Sequence, residues 1–162
     1  MRTGDLGAMD PDGFLRITGR KKDLLITAGG KNVAPTSIEV LLQALPGVGQ
    51  AVVLGDRRPY LCALLVLDPE AAPALAMGAG VGASGVAALA ADPAVRSFLA
   101  KRLESDCNSK LARFETIKRF ELLAEPFSVE GGELTPTMKV RRNVVCQKYA
   151  GLIEAMYAEA QE

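Results

Sequence analysis

Short stretches of the chain alternate hydrophobic and polar residues, as strands do. Residues 14–18 show this alternation, and a strong turn signal, Asp-Pro-Asp-Gly, stands before them at 10–13. Residues 23–27 form a second short apolar run that ends at a pair of glycines. We expect the two runs to pair as an antiparallel ribbon. We expect residues 3–5 to be a turn with no strand before it, and the sequence to be a piece of a longer chain.

Two longer runs are apolar at nearly every position, as central strands of a sheet are. They cover residues 50–54 and 60–67, and a polar turn joins them. This pattern predicts a hairpin. Residues 117–123 predict a further strand.

Apolar residues at helical spacing predict several helices. Pro35 suits the first turn of one, whose apolar face is followed by Pro46 and Gly47 as a stop signal. A second helix is expected from about residue 69, and a third starts at Asp92, an N-cap followed by proline. Residues 140–159 predict a last helix that Gly151 breaks or bends. The chain is therefore predicted to be an α+β domain with a small antiparallel or mixed sheet, packed helices and an N-terminal two-stranded ribbon.

Composition narrows the function classes. Hydrophobic residues make up 49% and charged residues 23%, which is typical of a globular domain. The 19 basic and 19 acidic residues balance, so no overall field favours nucleic acid. The chain has no histidine, which excludes Ser-His-Asp catalysis and histidine-ligated metal sites, and we expect no metal site. Its three cysteines show no paired spacing and indicate a reduced, cytoplasmic protein.

Two further patterns have competing interpretations. The run at 71–91 is uncharged and long enough to span a bilayer, but its alanines, glycines and proline favour a soluble helix–loop–helix. Residues 80–85 fit G-x-G-x-x-G letter by letter. That motif binds dinucleotides only between a strand and a helix, whereas a helix is predicted before these glycines, so we interpret them as a surface loop.

Two basic segments are candidates for chemistry. Arg20, Lys21 and Lys22 form either a solvated turn or an anion site, in which arginine supplies a planar fork and lysine a point charge. Lys139 follows the polar loop Thr135-Pro136-Thr137 and precedes a predicted helix. Taken alone, this position is typical of an ordinary surface lysine.

The order of these motifs resembles the C-terminal region of the adenylate-forming synthetases. The matching segments are "TGDLG", then "DGFLRITGRKKDLLITAGGKNVAPTSIE", and about a hundred residues later "LTPTMKVRR". The second segment is most similar to the long-chain fatty acid–CoA ligase branch of that superfamily. The resemblance extends from residue 3 to the final helix and implies the fold of the C-terminal domain of AMP-forming synthetases.

The resemblance implies a role for six residues. Asp5 would accept hydrogen bonds from the ribose hydroxyls, and Arg20 would contact the ribose and phosphates of the nucleotide. Lys22 would be the hinge about which the domain turns. Gly29 and Gly30 would line the pantetheine channel during thioester formation. Lys139 would be the catalytic lysine of the adenylation step.

The resemblance also implies partners and boundaries. Residues 1–19 would end a large N-terminal adenylation domain, residues 20–162 would form a mobile lid, and 70–92 would be a variable insertion. The intact enzyme would use a fatty acid, ATP, coenzyme A and Mg²⁺, release AMP and pyrophosphate, and lie in the cytoplasm, with peripheral membrane contact left open. We expect the isolated chain to be inactive as a ligase. Two alternatives stay open: the lid of an enzyme that loads a carrier protein, and a non-enzymatic nucleotide- or protein-binding module.

Overall fold

The computed structural model describes residues 4–20, 23–82 and 85–158. Within these ranges the strands are, in order, β1 Asp5–Met9, β2 Leu15–Arg20, β3 Leu25–Ile26, β4 Asn32–Val33, β5 Val48–Leu54, β6 Leu61–Leu67 and β7 Ile117–Leu123. The α-helices of the same described residues are α1 Pro35–Gln43, α2 Ala72–Ala79, α3 Val86–Ala91, α4 Pro93–Asp106, α5 Arg142–Lys148 and α6 Ala150–Ala158. Short 3₁₀ turns at Asn108–Lys110 and Arg113–Glu115 lead from α4 into β7. The predicted α+β class is confirmed.

A three-stranded sheet in the order β5-β6-β7 is the centre of the domain. Strands β5 and β6 form the predicted antiparallel hairpin, with Val53 opposite Ala63. Strand β7 lies parallel to β6, since the chain crosses over through α2, α3 and α4 before it returns. Every residue of β6 is buried, because both faces of the sheet are covered.

The two faces of the sheet belong to different clusters of buried side chains. Ala63 and Leu65 point into the first cluster, which α1, α2, α3 and α4 cover. Cys62 and Leu64 alternate with them and point into the second, which contains residues of α5 and α6. Full burial of a leucine side chain stabilises the fold by roughly 2 kcal/mol, so the buried leucines of β6 contribute to the core on both faces of the sheet.

Helix α4 begins where the sequence predicts. The carboxylate of Asp92 accepts a hydrogen bond of 2.7 Å from the backbone N–H of Ala94, and Pro93 occupies the first helical position. Helix α1 likewise begins at Pro35. The second helix begins at Ala72, a few residues later than expected, because the Asp68 carboxylate accepts the N–H of Glu70 and holds a turn there.

The predicted pairing of residues 14–18 with residues 23–27 is wrong. Strand β2 pairs with β1, and the pairs include Met9 with Leu15. The Asp-Pro-Asp-Gly turn is the loop of this hairpin: Asp10 accepts the backbone N–H groups of Asp12 and Phe14, and Gly13 has φ 86°.

The structure near that ribbon differs from the expected turn at residues 3–5 and from the expected partner of β3. Asp5 is the first residue of strand β1, so residues 3–5 are not the isolated turn that we expected, although residue 3 lies outside the described residues. Strand β3 pairs with the short strand β4 across the glycine turn. The N-terminal two-stranded ribbon is therefore confirmed as an element, with a different partner strand.

The last helix bends two residues before the expected Gly151. Helix α5 ends at Lys148, α6 begins at Ala150, and Tyr149 between them has φ −105° and ψ 22°. Backbone hydrogen bonds from Tyr149 to Val145 and from Ile153 to Tyr149 continue across the bend. Gly151 lies inside α6.

The glycines at 80–85 follow a helix, as the sequence predicts. Gly80 has φ 71° and ends α2, and its N–H bonds carbonyls of that helix. In the described part of the chain, no helix is both long and apolar enough to cross a membrane.

Candidate functional site

Lys139 lies in a tight loop whose backbone is fixed by its own residues. Leu134 and Val140 form an antiparallel bridge across the loop. The N–H of Thr135 bonds the carbonyl of Lys139 at 2.8 Å, and the N–H of Lys139 bonds the Thr135 hydroxyl at 3.0 Å. Met138 has φ 62°, a left-handed conformation that closes the turn. The Lys139 side chain is exposed, and among the described residues no acidic group forms an ion pair with it.

A buried carboxylate supports the base of this loop. Glu133 is almost fully buried, and its carboxylate accepts the N–H of Ser128 and a bond from the Lys148 ammonium. The bond from Lys148 holds the pKa of Glu133 below its usual range. The Glu133 carbonyl also accepts the N–H of Arg141 at 2.7 Å. The loop that carries Lys139 is thus fixed at both of its ends.

Gly29 and Gly30 form an exposed turn between β3 and β4. The N–H of Gly30 bonds the carbonyl of Thr27 at 2.8 Å, and Gly30 has φ 74°, which favours glycine. The space where a side chain of Gly30 would project is open, and a side chain at Gly29 would meet only the Thr27 hydroxyl at 3.9 Å. A ligand can therefore approach the backbone of this turn from outside.

The glycine turn is fastened to the turn between β5 and β6. The N–H of Ala28 bonds the carbonyl of Arg58 at 2.9 Å, and the N–H of Arg57 bonds the carbonyl of Ile26 at 2.7 Å. The carboxylate of Asp56 accepts the N–H of Ile26 at 3.1 Å. These bonds join the short β3–β4 ribbon to the central hairpin.

The two predicted sites are anchored to opposite faces of the central sheet. Leu25 and Val33, from the strands that flank the glycine turn, belong to the cluster covered by α1 to α4. Leu134 and Val140, which flank Lys139, belong to or pack against the other cluster. The resemblance implies that the two sites lie on different faces of the domain, and the flanking residues of each site pack in different clusters.

The remaining predicted residues lie in or beside the N-terminal ribbon. Asp5 and Arg20 are direct partners across β1 and β2, so the structure brings together two positions that the resemblance assigns to one nucleotide. Lys22 lies outside the described residues.

Sequence reasoning missed an ion pair between Glu39 and Arg142. Glu39 is buried, and one of its oxygens accepts the N–H of Val53 at 2.8 Å and two bonds from the Arg142 guanidinium, at 2.9 and 2.7 Å. Burial raises the pKa of Glu39, while Arg142 and the N–H of Val53 oppose that rise. The available signal was a glutamate directly after Ile38, at the border of the predicted apolar face of α1.

Comparison with known proteins assigns the chain to a family. Residues 22–161 match the family described as the AMP-binding enzyme C-terminal domain. The chain belongs to this family. The match includes Gly29, Gly30 and Lys139 and covers both faces of the sheet.

Two curated relatives of this C-terminal domain are named as long-chain fatty acid–CoA ligases. Over 157 residues it is 46% identical to the long-chain-fatty-acid–CoA ligase FadD15 of Mycobacterium tuberculosis, a match that covers 96% of this chain and 26% of the relative. Over 179 residues it is 37% identical to the long-chain-fatty-acid–CoA ligase ACSBG1 of Mus musculus, covering 100% of this chain and 25% of the relative. The chain therefore spans about a quarter of the length of these relatives.

A solved structure shows the same fold. The A domain of carboxylic acid reductase from Segniliparus rugosus, in complex with AMP and a co-purified carboxylic acid, matches with a TM-score of 0.74 and 29% identity. The match covers 98% of this chain and 23% of that one.

Proposed function

We propose that this chain is the mobile C-terminal domain of an AMP-forming long-chain fatty acid–CoA ligase. The observation that carries the proposal is that the residues flanking Lys139 and those flanking the Gly29–Gly30 turn pack on opposite faces of one sheet. Family membership and the names of the relatives support the reaction class. The domain acts together with a large adenylation domain, which holds most of the substrate site.

In the first step, a fatty acid carboxylate attacks the α-phosphorus of ATP, and pyrophosphate leaves. Both reactants are anions, so a placed ammonium reduces their repulsion and the charge that grows in the transition state. Lys139 supplies that ammonium, since its side chain is exposed on a fixed loop. A unit charge at about 4 Å contributes roughly 4 kcal/mol at an effective dielectric near 20, or about a thousandfold in rate. The intact enzyme would use Mg²⁺ to offset charge on the phosphates, and the described residues of this chain include no acidic cluster that would hold it.

In the second step, the thiolate of coenzyme A attacks the acyl carbonyl, and AMP leaves. This step needs room for the thin pantetheine arm, which the open space over Gly29 and Gly30 provides. Because the Lys139 loop and the glycine turn are anchored to opposite faces, the domain turns between the steps, and Lys22 is the hinge. Residues 20–162 form the lid, with residues 70–92 as an insertion, and residues 1–19 belong to the large domain.

Asp5 and Arg20 bind the nucleotide in this proposal. Their pairing across the ribbon supports a shared ligand, with Asp5 on the ribose hydroxyls and Arg20 on the ribose and phosphates. The three free thiols, Cys62, Cys107 and Cys146, support a cytoplasmic location.

A fusion ligase tests the proposal. The whole chain replaces the matching segment of FadD15, and pyrophosphate release is measured with palmitate and ATP. We expect activity from the fusion and a loss of about a thousandfold in Lys139→Ala. Formation of palmitoyl-CoA from supplied palmitoyl-adenylate should stay within a few fold, and the exposed lysine variant Lys118→Ala should match the parent fusion. A folded fusion that releases no pyrophosphate, or an unaffected Lys139→Ala, contradicts the proposal.

The same fusion separates the two alternatives. Thioester formed on a carrier protein but not on coenzyme A would favour the lid of a carrier-loading enzyme. Calorimetry of the isolated chain with AMP tests the independent binding module, which predicts saturable binding. The lid proposal predicts a dissociation constant weaker than about 1 mM, since most of the nucleotide site lies in the large domain.

A further inference from the structure

The Glu39–Arg142 ion pair lies at the open edge of the central sheet. Strand β5 is one of the two edge strands of this sheet, and the N–H of Val53 points away from β6 into the carboxylate of Glu39. This carboxylate therefore satisfies a backbone donor that no neighbouring strand can bond. Loss of Arg142 would leave the buried Glu39 carboxylate without its cation, and loss of Glu39 would leave the N–H of Val53 without this acceptor.

The pair also joins the two faces of the domain. Glu39 belongs to α1, whose Ile38 and Leu42 pack in the cluster on one face. Arg142 is the first residue of α5, whose Val145 packs in the cluster on the other face. The guanidinium reaches around β5 and donates two bonds to a single carboxylate oxygen.

Arg142 stands three residues after Lys139, and hydrogen bonds restrict the backbone between them. The N–H of Arg141 bonds the Glu133 carbonyl, and Val140 bridges Leu134. A displacement of Arg142 is therefore transmitted to the Lys139 loop. Helix α1 follows directly on β4, but Ile38 and Leu42 hold α1 in the first cluster without Arg142, so the ribbon that carries the glycine turn keeps its own anchor.

We propose that Arg142, held by Glu39 across the edge of β5, is a positioning residue that sets the location of Lys139 for the adenylation step. This inference rests on the proposed function, because it assumes that Lys139 acts in that step. It assigns Arg142 no contact with substrate. The loss of Arg142 should therefore affect the step that uses Lys139 and spare the step that uses the glycine turn.

The test measures both half-reactions in the fusion ligase. Arg142→Gln should lower pyrophosphate release by roughly 10- to 100-fold, since a displacement of about 1 Å costs that much in a positioned group. Palmitoyl-CoA formation from supplied palmitoyl-adenylate should change less than about threefold. Arg142→Lys keeps the charge and can donate one bond, so it should recover part of the lost activity.

A double-mutant cycle and a matched control complete the test. Glu39→Gln should reduce adenylation as Arg142→Gln does, and the double variant should lose no more than the worse single variant. Arg96→Gln is the control, because Arg96 pairs with Glu121 of β7 at the other edge of the sheet. It should leave both half-reactions within about twofold.

The experiment distinguishes failure of the positioning role from failure of the proposed function. If Lys139→Ala lowers adenylation but Arg142→Gln lowers both half-reactions equally or neither, the positioning role is wrong and the proposed function stands. If Lys139→Ala leaves adenylation unchanged, the proposed function fails and the positioning role fails with it.

Discussion

The ammonium of Lys148 bonds the carboxylate of Glu133, which is only 1% exposed at the base of the loop that carries Lys139. This bond is the first cause that holds the pKa of Glu133 below its ordinary value of 4.5. A lowered carboxyl pKa stabilises the fold above that ordinary value, and the stability is lost as pH falls through the lower pKa of the folded state.

Replacement of Lys148 should therefore destabilise the isolated chain at neutral pH. Lys148→Met leaves the buried carboxylate without its partner, and the difference in unfolding free energy from the parent should be largest near pH 7. It should narrow as pH falls below about 4.5, because Glu133 of the unfolded chain takes up a proton there and Glu133 of the folded parent does so at lower pH. Urea unfolding across this range measures the effect, with the exposed Lys118→Met as control. Equal stability of the two variants would contradict the assigned role.

Truncation of buried side chains in the central strand β6 should lower the unfolding free energy on either face of the sheet. Leu65 and Leu64 are fully buried in different clusters, so Leu65→Ala and Leu64→Ala should each lower the unfolding free energy by about 2–5 kcal/mol. Met77 is 81% exposed, and Met77→Ala should stay within about 0.5 kcal/mol of the parent. Urea unfolding of the three variants checks this. A small effect on only one face would show that the sheet is not covered there.

The two buried thiols should make stability depend on alkaline pH. Burial raises the pKa of Cys62 and Cys107 to about 11, from an ordinary value near 9. A raised thiol pKa gives stability that is complete below pH 9 and is lost as pH rises through about 11. Each thiol should lower the unfolding free energy by roughly 1–2 kcal/mol over that range. Cys62→Ala and Cys107→Ala should each reduce the fall in unfolding free energy as pH rises through this range. An unchanged pH dependence of the unfolding free energy in both variants would contradict the prediction.

The strong local patterns of the sequence predicted much of this fold. The apolar runs gave the β5–β6 hairpin, and Asp92 followed by proline gave the start of α4, because each signal depends on residues that are neighbours in the chain. The pairing of β2 was mispredicted, since the Asp10 turn is compatible with a strand on either side. Glu39 and Arg142 stand 103 residues apart, and only the packing of α1 and α5 around β5 brings them together.

The candidate site was also predictable from the sequence only in part. Lys139, Gly29 and Gly30 were found by motif, because family motifs record residue types in order along the chain. Their attachment to opposite faces depends on which cluster receives Leu25 and Leu134. Periodicity shows that a residue is buried, but it does not show which of two faces buries it.

Alanine at Gly29 should slow thioester formation without disturbing the fold. Gly29 is outside the left-handed region, and an added Cβ would meet only an ordinary contact with Thr27, so stability should stay within about 0.5 kcal/mol. In the fusion ligase, the extra methyl group should slow transfer from palmitoyl-adenylate to coenzyme A by roughly tenfold, because it narrows the approach of the pantetheine arm. Thr36→Ala, an exposed change in α1, is the control. A Gly29→Ala fusion with full thioester activity would contradict the role of this turn.

The central claim is that one domain serves two half-reactions from two faces, and single-turnover measurement of both steps in Lys139→Ala and Gly29→Ala tests it most directly. The account predicts reciprocal defects in the fusion ligase: Lys139→Ala loses adenylation and keeps thioester formation, whereas Gly29→Ala keeps adenylation and loses speed in thioester formation. Equal loss of both steps in each variant would contradict it.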